Sequence, residues 1–217
     1  FWVIKSDSFF LIILSGMIGS GLADQIYIRS LTKVGANYLS VIASSLGIFV
    51  LIFAFLLNYI FPSVFPAQKW PPHIFEMIGF ICIVFAIFYS SWEPASYKGI
   101  TIGNTLTSLS AFMFMGLSAN LTNSAIHLNS GDALNILAII LVRFLPAIFF
   151  QSALLVANNI KFSSLGDVFT LDSKTFYLTT LGSLMMSLIA IIFWVVGMNI
   201  ELDNVTLFSL LAQTSNI

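Results

Sequence analysis

Two charged residues of this 217-residue sequence lie well inside long apolar runs: Asp24 and Arg143. A charge in hydrocarbon costs about 2.5–3.5 kcal/mol or more, so such residues normally face a bundle interior, a partner or water. A guanidinium can bind an anionic group or pair with a carboxylate. A carboxylate can bind a solute or carry a proton. Both residues are therefore candidate binding residues.

Each of these charges also has a structural explanation. Arg143 stands roughly 15 Å into its apolar run at 1.5 Å per residue. From there it can extend to the nearer interface or hydrogen-bond backbone carbonyls as an anchor. Asp24 can be a capped residue at the level of the interface. The sequence leaves both alternatives open.

Uncharged polar residues add three candidates: Gln25, Ser44 and Asn120. Asn120 and Ser124 are four residues apart, and Gly116 precedes Asn120 by one turn, so the three share a helix face. Such a face suits either interhelical hydrogen bonds or a solute lining. Ser44 is a weaker candidate, because a serine hydroxyl can simply bond the carbonyl four residues earlier.

Three glycines precede Asp24 and Gln25, at positions 16, 19 and 21. The absence of side chains allows a close helix neighbour or leaves room for a ligand. Small residues spaced four apart, such as Ser15 and Gly19, are most often a packing seam.

Catalytic constellations are missing from the sequence. His73 and His127 stand in separate connectors, and no HExxH, GxSxG or Walker motif occurs. The single Cys82 excludes an internal disulfide framework and a CxxC metal site. We therefore expect no enzyme, no metal and no cofactor. The net charge of -1, with scattered Lys and Arg, predicts no nucleic-acid partner.

The elements that must position these candidates are apolar. The sequence is 59% hydrophobic and only 8% charged, whereas a soluble domain carries about 25% charged residues. A membrane-spanning helix needs roughly 20 apolar residues. The sequence predicts an all-α, polytopic transmembrane helix bundle with six spans and the start of a seventh near Val205: Phe9 to Ile28, Tyr38 to Phe61, Ile74 to Ser90, Ile100 to Leu121, Ala133 to Ala157 and Phe176 to Ile200.

The connectors predict how the first spans are joined. Gly35 marks a turn, so we expect the helices of residues 9–61 to form an antiparallel pair. The chain begins at Phe1 without a methionine and ends at Ile217 just after an apolar run begins. We therefore expect a fragment, with spans missing at both ends.

The order of several short motifs resembles a known family. GSGLAD at 19–24, IRSLTKVGA at 28–36 and LSVIASS at 39–45 resemble the third and fourth helices of an EamA-type repeat of the drug/metabolite transporter superfamily. AFMFMGLSANLT at 111–122 and LVRFL at 141–145 are similar to the first two helices of a second repeat.

This resemblance implies two inverted repeats: residues 1–99 would be the end of the first and residues 100–217 an incomplete second. Substrate sites of such folds lie near the midplane between the halves. On this basis we expect a secondary transporter that moves a small organic solute or metabolite by alternating access. The residues expected to approach its cavity are Asp24, Gln25, Ser44, Asn120 and Arg143.

The expected location is the cell (inner) membrane, as a multi-pass protein. The expected partners are the lipid bilayer and a small-molecule solute, with a homodimer as a further option. The family topology would place the Gly35 connector outside the cytoplasm, whereas the Lys and Arg of the loops favour the reverse. The alternative function is a non-transporting scaffold or subunit, or the membrane part of an enzyme whose catalytic region lies elsewhere. That alternative predicts a dry centre packed with Leu and Phe.

Overall fold

The computed structural model describes residues 6–65, 101–129 and 133–157, together with the single positions 78, 79, 81, 82, 85, 89, 174, 177, 178 and 181. Every regular element in these ranges is helical, and none of them is a strand. The all-α prediction is confirmed for this part of the chain. Most of the predicted spans Ile74 to Ser90 and Phe176 to Ile200, and all of the segment from Val205, lie outside the described residues. The two-repeat organisation stays a prediction.

The first long helix has three parts. Helix α1 (Ser6–Gly16) continues into a π-helical segment, π1 (Met17–Ala23), and then into α2 (Asp24–Val34). Gly35 ends it with a φ of 82°, a conformation that glycine adopts without steric cost. The turn predicted at Gly35 is confirmed.

The second long helix is broken once. Helix α3 (Ala36–Ala43) and helix α4 (Leu46–Ile60) meet at two serines. The N–H groups of Ser44 and Ser45 bond to carbonyls three residues earlier, at 3.2 and 2.9 Å, which tightens the backbone there. Residues 8–34 and 36–60 are each long and apolar enough to cross a membrane.

Two further helices complete the described part. Helix α5 (Ile102–Leu128) has 27 residues and begins at Thr101, whose side chain accepts a hydrogen bond from the N–H of Asn104. It runs seven residues beyond the predicted end at Leu121, because the polar residues that follow are buried rather than in a loop. Helix α6 (Ala133–Ala157) has the predicted bounds.

Helix α5 is central and contacts α1, π1, α2, α3 and α4. Ser15 of α1 bonds Ser118, and the ring of Tyr27 of α2 meets that of Phe112 edge-on at 5.9 Å. The first long helix therefore runs antiparallel to α5.

The second long helix runs parallel to α5. Tyr38 of α3 bonds Thr105 near the beginning of α5, and Asn120 further along bonds the carbonyl of Val50 in α4. The two long helices thus run in opposite directions, as predicted, with α5 packed against both. It also follows that α4 ends and α5 begins at opposite ends of the bundle.

Two apolar clusters hold these helices together. One joins α1, α4, α5 and α6 around Ile12, Val50 and Ile126. The other joins α2, α3 and α5 around Val34 and Ile42. A polar strip of α5 lies between α1 and α6 and carries the candidate site.

Candidate functional site

Three buried hydroxyl groups join α1 to α5; we call Ser15, Ser118 and Thr122 the hydroxyl cluster. The Oγ of Ser118 donates to the carbonyl of Ser15 at 2.9 Å, and the Oγ of Ser15 donates to the carbonyl of Ser118 at 3.1 Å. The hydroxyl of Thr122 contacts that of Ser15 and donates to the Ser118 carbonyl at 2.9 Å. Because Ser118 uses its hydrogen on Ser15, its lone pairs can accept from a third group.

That third group is the guanidinium of Arg143. Its Nη2 donates to the Oγ of Ser118 at 3.0 Å, so one cation of α6 is held at a fixed point against α5. Its Nε is buried and has no hydrogen-bond partner. A buried donor without an acceptor costs about 1–3 kcal/mol, and more when it is charged. An acceptor oxygen, from water or from a ligand, would remove that cost.

Glycines make the approach of α6 to the first helix possible. A Cβ on Gly19 would overlap the Ser118 hydroxyl and lie 3.0 Å from Nη2 of Arg143. A Cβ on Gly16 would overlap the carbonyl of Arg143 and lie 2.9 Å from Cγ of Pro146. Gly16 and Gly19, which the sequence predicts to serve either helix packing or a ligand, therefore serve helix packing. Gly19 also makes room for the guanidinium of Arg143.

The π-helical segment brings Asp24 into register with Gly19. In π1 the N–H of Asp24 donates to the carbonyl of Gly19, five residues earlier. In an α-helix, the N–H of Ala23 would donate to that carbonyl instead. Asp24 consequently sits one turn from the glycine that faces Arg143. The carboxylate is half-buried and interacts electrostatically with Arg143. No hydrogen bond or ion pair within 4.0 Å joins these two described side chains.

A second contact ties α6 to π1. The Nε2 of Gln151 donates to the carbonyl of Ser20 at 2.7 Å, and a Cβ on Gly21 would lie 2.9 Å from Cδ1 of Phe150. Gln25 is half-buried directly after Asp24. The stretch of π1 from Gly19 to Gly21 thus packs closely against α5 and α6.

Two of the predicted cavity residues lie away from Arg143. Asn120 is buried, and its amide donates at 2.9 Å to two carbonyls: that of Val50, which joins α5 to α4, and that of Gly116, one turn earlier in α5 itself. Ser44 lies at the α3–α4 break and donates to the carbonyl of Ser40 at 3.4 Å. Asp24 and Arg143 interact only electrostatically, and the described hydrogen bonds of Asn120 and Ser44 are made to other groups, so the shared cavity stays a prediction.

Sequence reasoning did not single out Ser118 or Thr122. Their spacing of four residues puts both on one helix face, and Ser15 of α1 has the same spacing from Gly19 of π1. The sequence signal for this contact is the presence of two such faces of small residues, although Ser15 and Ser118 are 103 residues apart in the chain. Nothing in the sequence says that these two faces meet.

Comparison with protein-family models, with curated proteins and with solved structures finds no match for this chain.

Proposed function

We propose that this chain belongs to a multi-pass protein of the cell (inner) membrane, a secondary transporter that moves a small organic solute by alternating access. It would contain two inverted EamA-like repeats, divided near residue 99, and act on its solute without catalysing a reaction. The order of the EamA-like motifs supports this proposal. So do the distribution of polar side chains and the position of Arg143.

The distribution of side chains supports a lipid environment. On α6, Leu145 and Phe149 are 66% and 77% exposed. On α5, by contrast, Ser118 and Asn123 are at most 2% exposed. A soluble protein would bury the large apolar groups and expose the polar ones. Helix α4 ends and α5 begins at opposite ends of the bundle, which fits the predicted span Ile74 to Ser90.

Arg143 is the observation that carries the transport proposal. Its guanidinium is held by Ser118 inside the helical group, its Nε has no partner, and Asp24 interacts with it without forming an ion pair. A static module would be expected to satisfy such a charge fully. A transporter benefits from a charge that stays available to its solute.

The test is uptake by the full-length protein in proteoliposomes, with a panel of amino acids, nucleosides, phosphorylated metabolites and small carboxylates. We expect saturable uptake of one class, which Arg143→Leu abolishes. Ser110→Ala is the matched control, because this exposed hydroxyl bonds only within α5, to the carbonyl of Thr107. Folded protein that takes up no solute, or uptake unaffected by Arg143→Leu, would contradict the proposal.

The second candidate is a non-transporting membrane scaffold or subunit. The hydroxyl cluster and Asn120 favour it, because their hydrogen bonds join helices as a rigid packing seam would. Under this alternative, Arg143→Leu lowers the amount of folded protein in the membrane, and no variant changes solute movement.

A further inference from the structure

The site around Arg143 and Asp24 contains one positive and one negative charge. Apart from Arg143, helix α6 contains no Lys, Arg, His, Asp or Glu. Segment π1 contains none of these residues, and α5 contains only His127, which is exposed near its end. Helix α2 adds Tyr27 and the exposed Arg29 and Lys33, and the neighbouring α3 adds Tyr38. Asp24 lies one helical turn after Gly19, and a Cβ on Gly19 would lie 3.0 Å from Nη2 of Arg143, so the geometry places the carboxylate on the side of the guanidinium.

The hydrogen-bonding capacity of Arg143 is only partly used. Ser118 accepts from Nη2, and Ser118 is itself fixed by its bond to the Ser15 carbonyl. The buried Nε remains as a donor without an acceptor. A planar guanidinium with adjacent free donors matches the two oxygens of a carboxylate or the oxygens of a phosphate. The donors of Arg143 are therefore suited to binding an oxyanion.

Charge balance then selects among oxyanions. A phosphate dianion would leave two uncompensated negative charges beside Asp24, whereas a carboxylate leaves one. One proton on Asp24 removes that last charge, and it also removes the attraction of Asp24 for Arg143. A buried site disfavours uncompensated charge, and a monocarboxylate together with one proton leaves the site neutral. A zwitterion would also leave it neutral, but only if its ammonium group reached Asp24 while its carboxylate bound Arg143.

We propose that Arg143, held by Ser118, binds the carboxylate of a small monocarboxylate solute, and that Asp24 takes up one proton with it. This inference rests on the proposed transport function and names its solute class. The proton moves from solvent to a carboxylate oxygen of Asp24, and no covalent bond changes in the solute. By linkage, the proton strengthens carboxylate binding by the same factor as the carboxylate strengthens proton binding.

The experiment measures binding to the full-length protein in lipid nanodiscs, with lactate, alanine and inorganic phosphate as probes. We expect lactate to bind more tightly than the other two. Its affinity should rise from mildly alkaline to mildly acidic pH by a factor on the order of 5 to 150, the usual range of coupling between two ligands. A pH-indicator dye should report uptake of about one proton per lactate bound, as this one-to-one linkage requires.

Variants separate binding from folding. With Asp24→Asn, lactate should bind tightly at both pH values and take up no proton. With Ser118→Ala, the charge of Arg143 is kept but its position is not, so lactate should bind more weakly while its pH dependence remains. Ser110→Ala should match the parent protein, and the thermal midpoint of each variant shows that it is folded.

Other outcomes overturn the inference in distinguishable ways. Tighter binding of alanine without pH dependence would indicate that a zwitterion bridges Arg143 and Asp24. Tighter binding of phosphate, or no binding of lactate to folded protein, would equally contradict it. Uptake of a neutral or cationic solute that Asp24→Asn leaves unchanged would overturn the inference and leave the transport proposal standing. Lactate binding with proton uptake but no transport would support the inference and contradict the transport proposal.

Discussion

The Nη2 of Arg143 lies 3.0 Å from the Oγ of Ser118, and this hydrogen bond joins α6 to α5 beside Gly19. The serine hydroxyl simultaneously donates to the carbonyl of Ser15, so one small side chain links three helical segments. A hydrogen bond to a charged group contributes about 1.5–3 kcal/mol. The contact therefore contributes both to packing and to the placement of the charge.

Ser118→Ala should lower the stability of the protein by about 1.5–3 kcal/mol, because it leaves Nη2 of Arg143 as a second unpartnered donor. The measurement is the thermal or denaturant midpoint of purified protein in detergent. Ser110→Ala, on the exposed side of the same helix, should change stability by less than about 0.5 kcal/mol. Equal effects of the two substitutions would show that the Arg143 contact contributes nothing.

The sequence predicted the elements of the described part better than their contacts. The bounds of α6 and the turn at Gly35 follow from apolar run length and turn chemistry, which are local properties. The π-helical hydrogen bonding of Met17–Ala23 cannot be predicted from local sequence in the same way, because the glycines of this segment are equally compatible with an α-helix. It depends on tertiary packing against α6, which no spacing rule describes.

Among the site residues, charge in an apolar run is the signal that singles out Asp24 and Arg143. Their approach to one cavity stays a prediction, since the structure shows an electrostatic interaction between these two described residues but no hydrogen bond or ion pair. At Asn120 the sequence is compatible with solute lining and with interhelical bonding, and in the structure one amide donor bonds Val50 of α4 while the other bonds Gly116 of its own helix. Hydrogen bonding at that position depends on which carbonyl of α4 lies opposite, which the sequence does not specify.

Gly19→Ala should destabilise the protein by about 1–3 kcal/mol, the usual cost of overpacking a filled interior. The added methyl would overlap the Ser118 hydroxyl and lie 3.0 Å from Arg143 Nη2. Gly103→Ala is the matched control, because a Cβ there meets nothing within 4 Å. That control should be neutral or more stable by about 0.5–1 kcal/mol. If both substitutions stabilise the protein equally, the close approach at Gly19 does not exist.

Asn37→Cys should report the orientation of the first two long helices. Asn37 is exposed and follows the Gly35 turn, so a cysteine there can be reached from the side on which the turn lies. The native Cys82, which is also exposed, is first replaced by serine. We expect a membrane-impermeant maleimide to label intact cells, because the family topology places this turn outside the cytoplasm. Labelling only after permeabilisation would reverse the assigned orientation.

Asn120→Ala should separate packing from solute contact at this position. The amide donates to the carbonyls of Val50 and Gly116 and makes no contact with Arg143 among the described residues. Interhelical polar bonds in membranes average about 0.6 kcal/mol and reach about 1.7 kcal/mol. We therefore expect a stability loss in that range, measured by thermal denaturation, with the apparent affinity for the transported solute unchanged.

Ser40→Ala is the comparison for that experiment, since its exposed hydroxyl bonds only to the carbonyl of Asn37 and its loss should leave stability and affinity unchanged. If Asn120→Ala weakens solute affinity at least tenfold without loss of stability, Asn120 lines the solute path. For the amide nitrogen to donate to a solute, one of its bonds to Val50 and Gly116 would have to open during transport, because both of its hydrogens are used in these bonds. If stability falls and affinity holds, Asn120 serves the packing of α4 against α5, and the solute binds without contacting its amide.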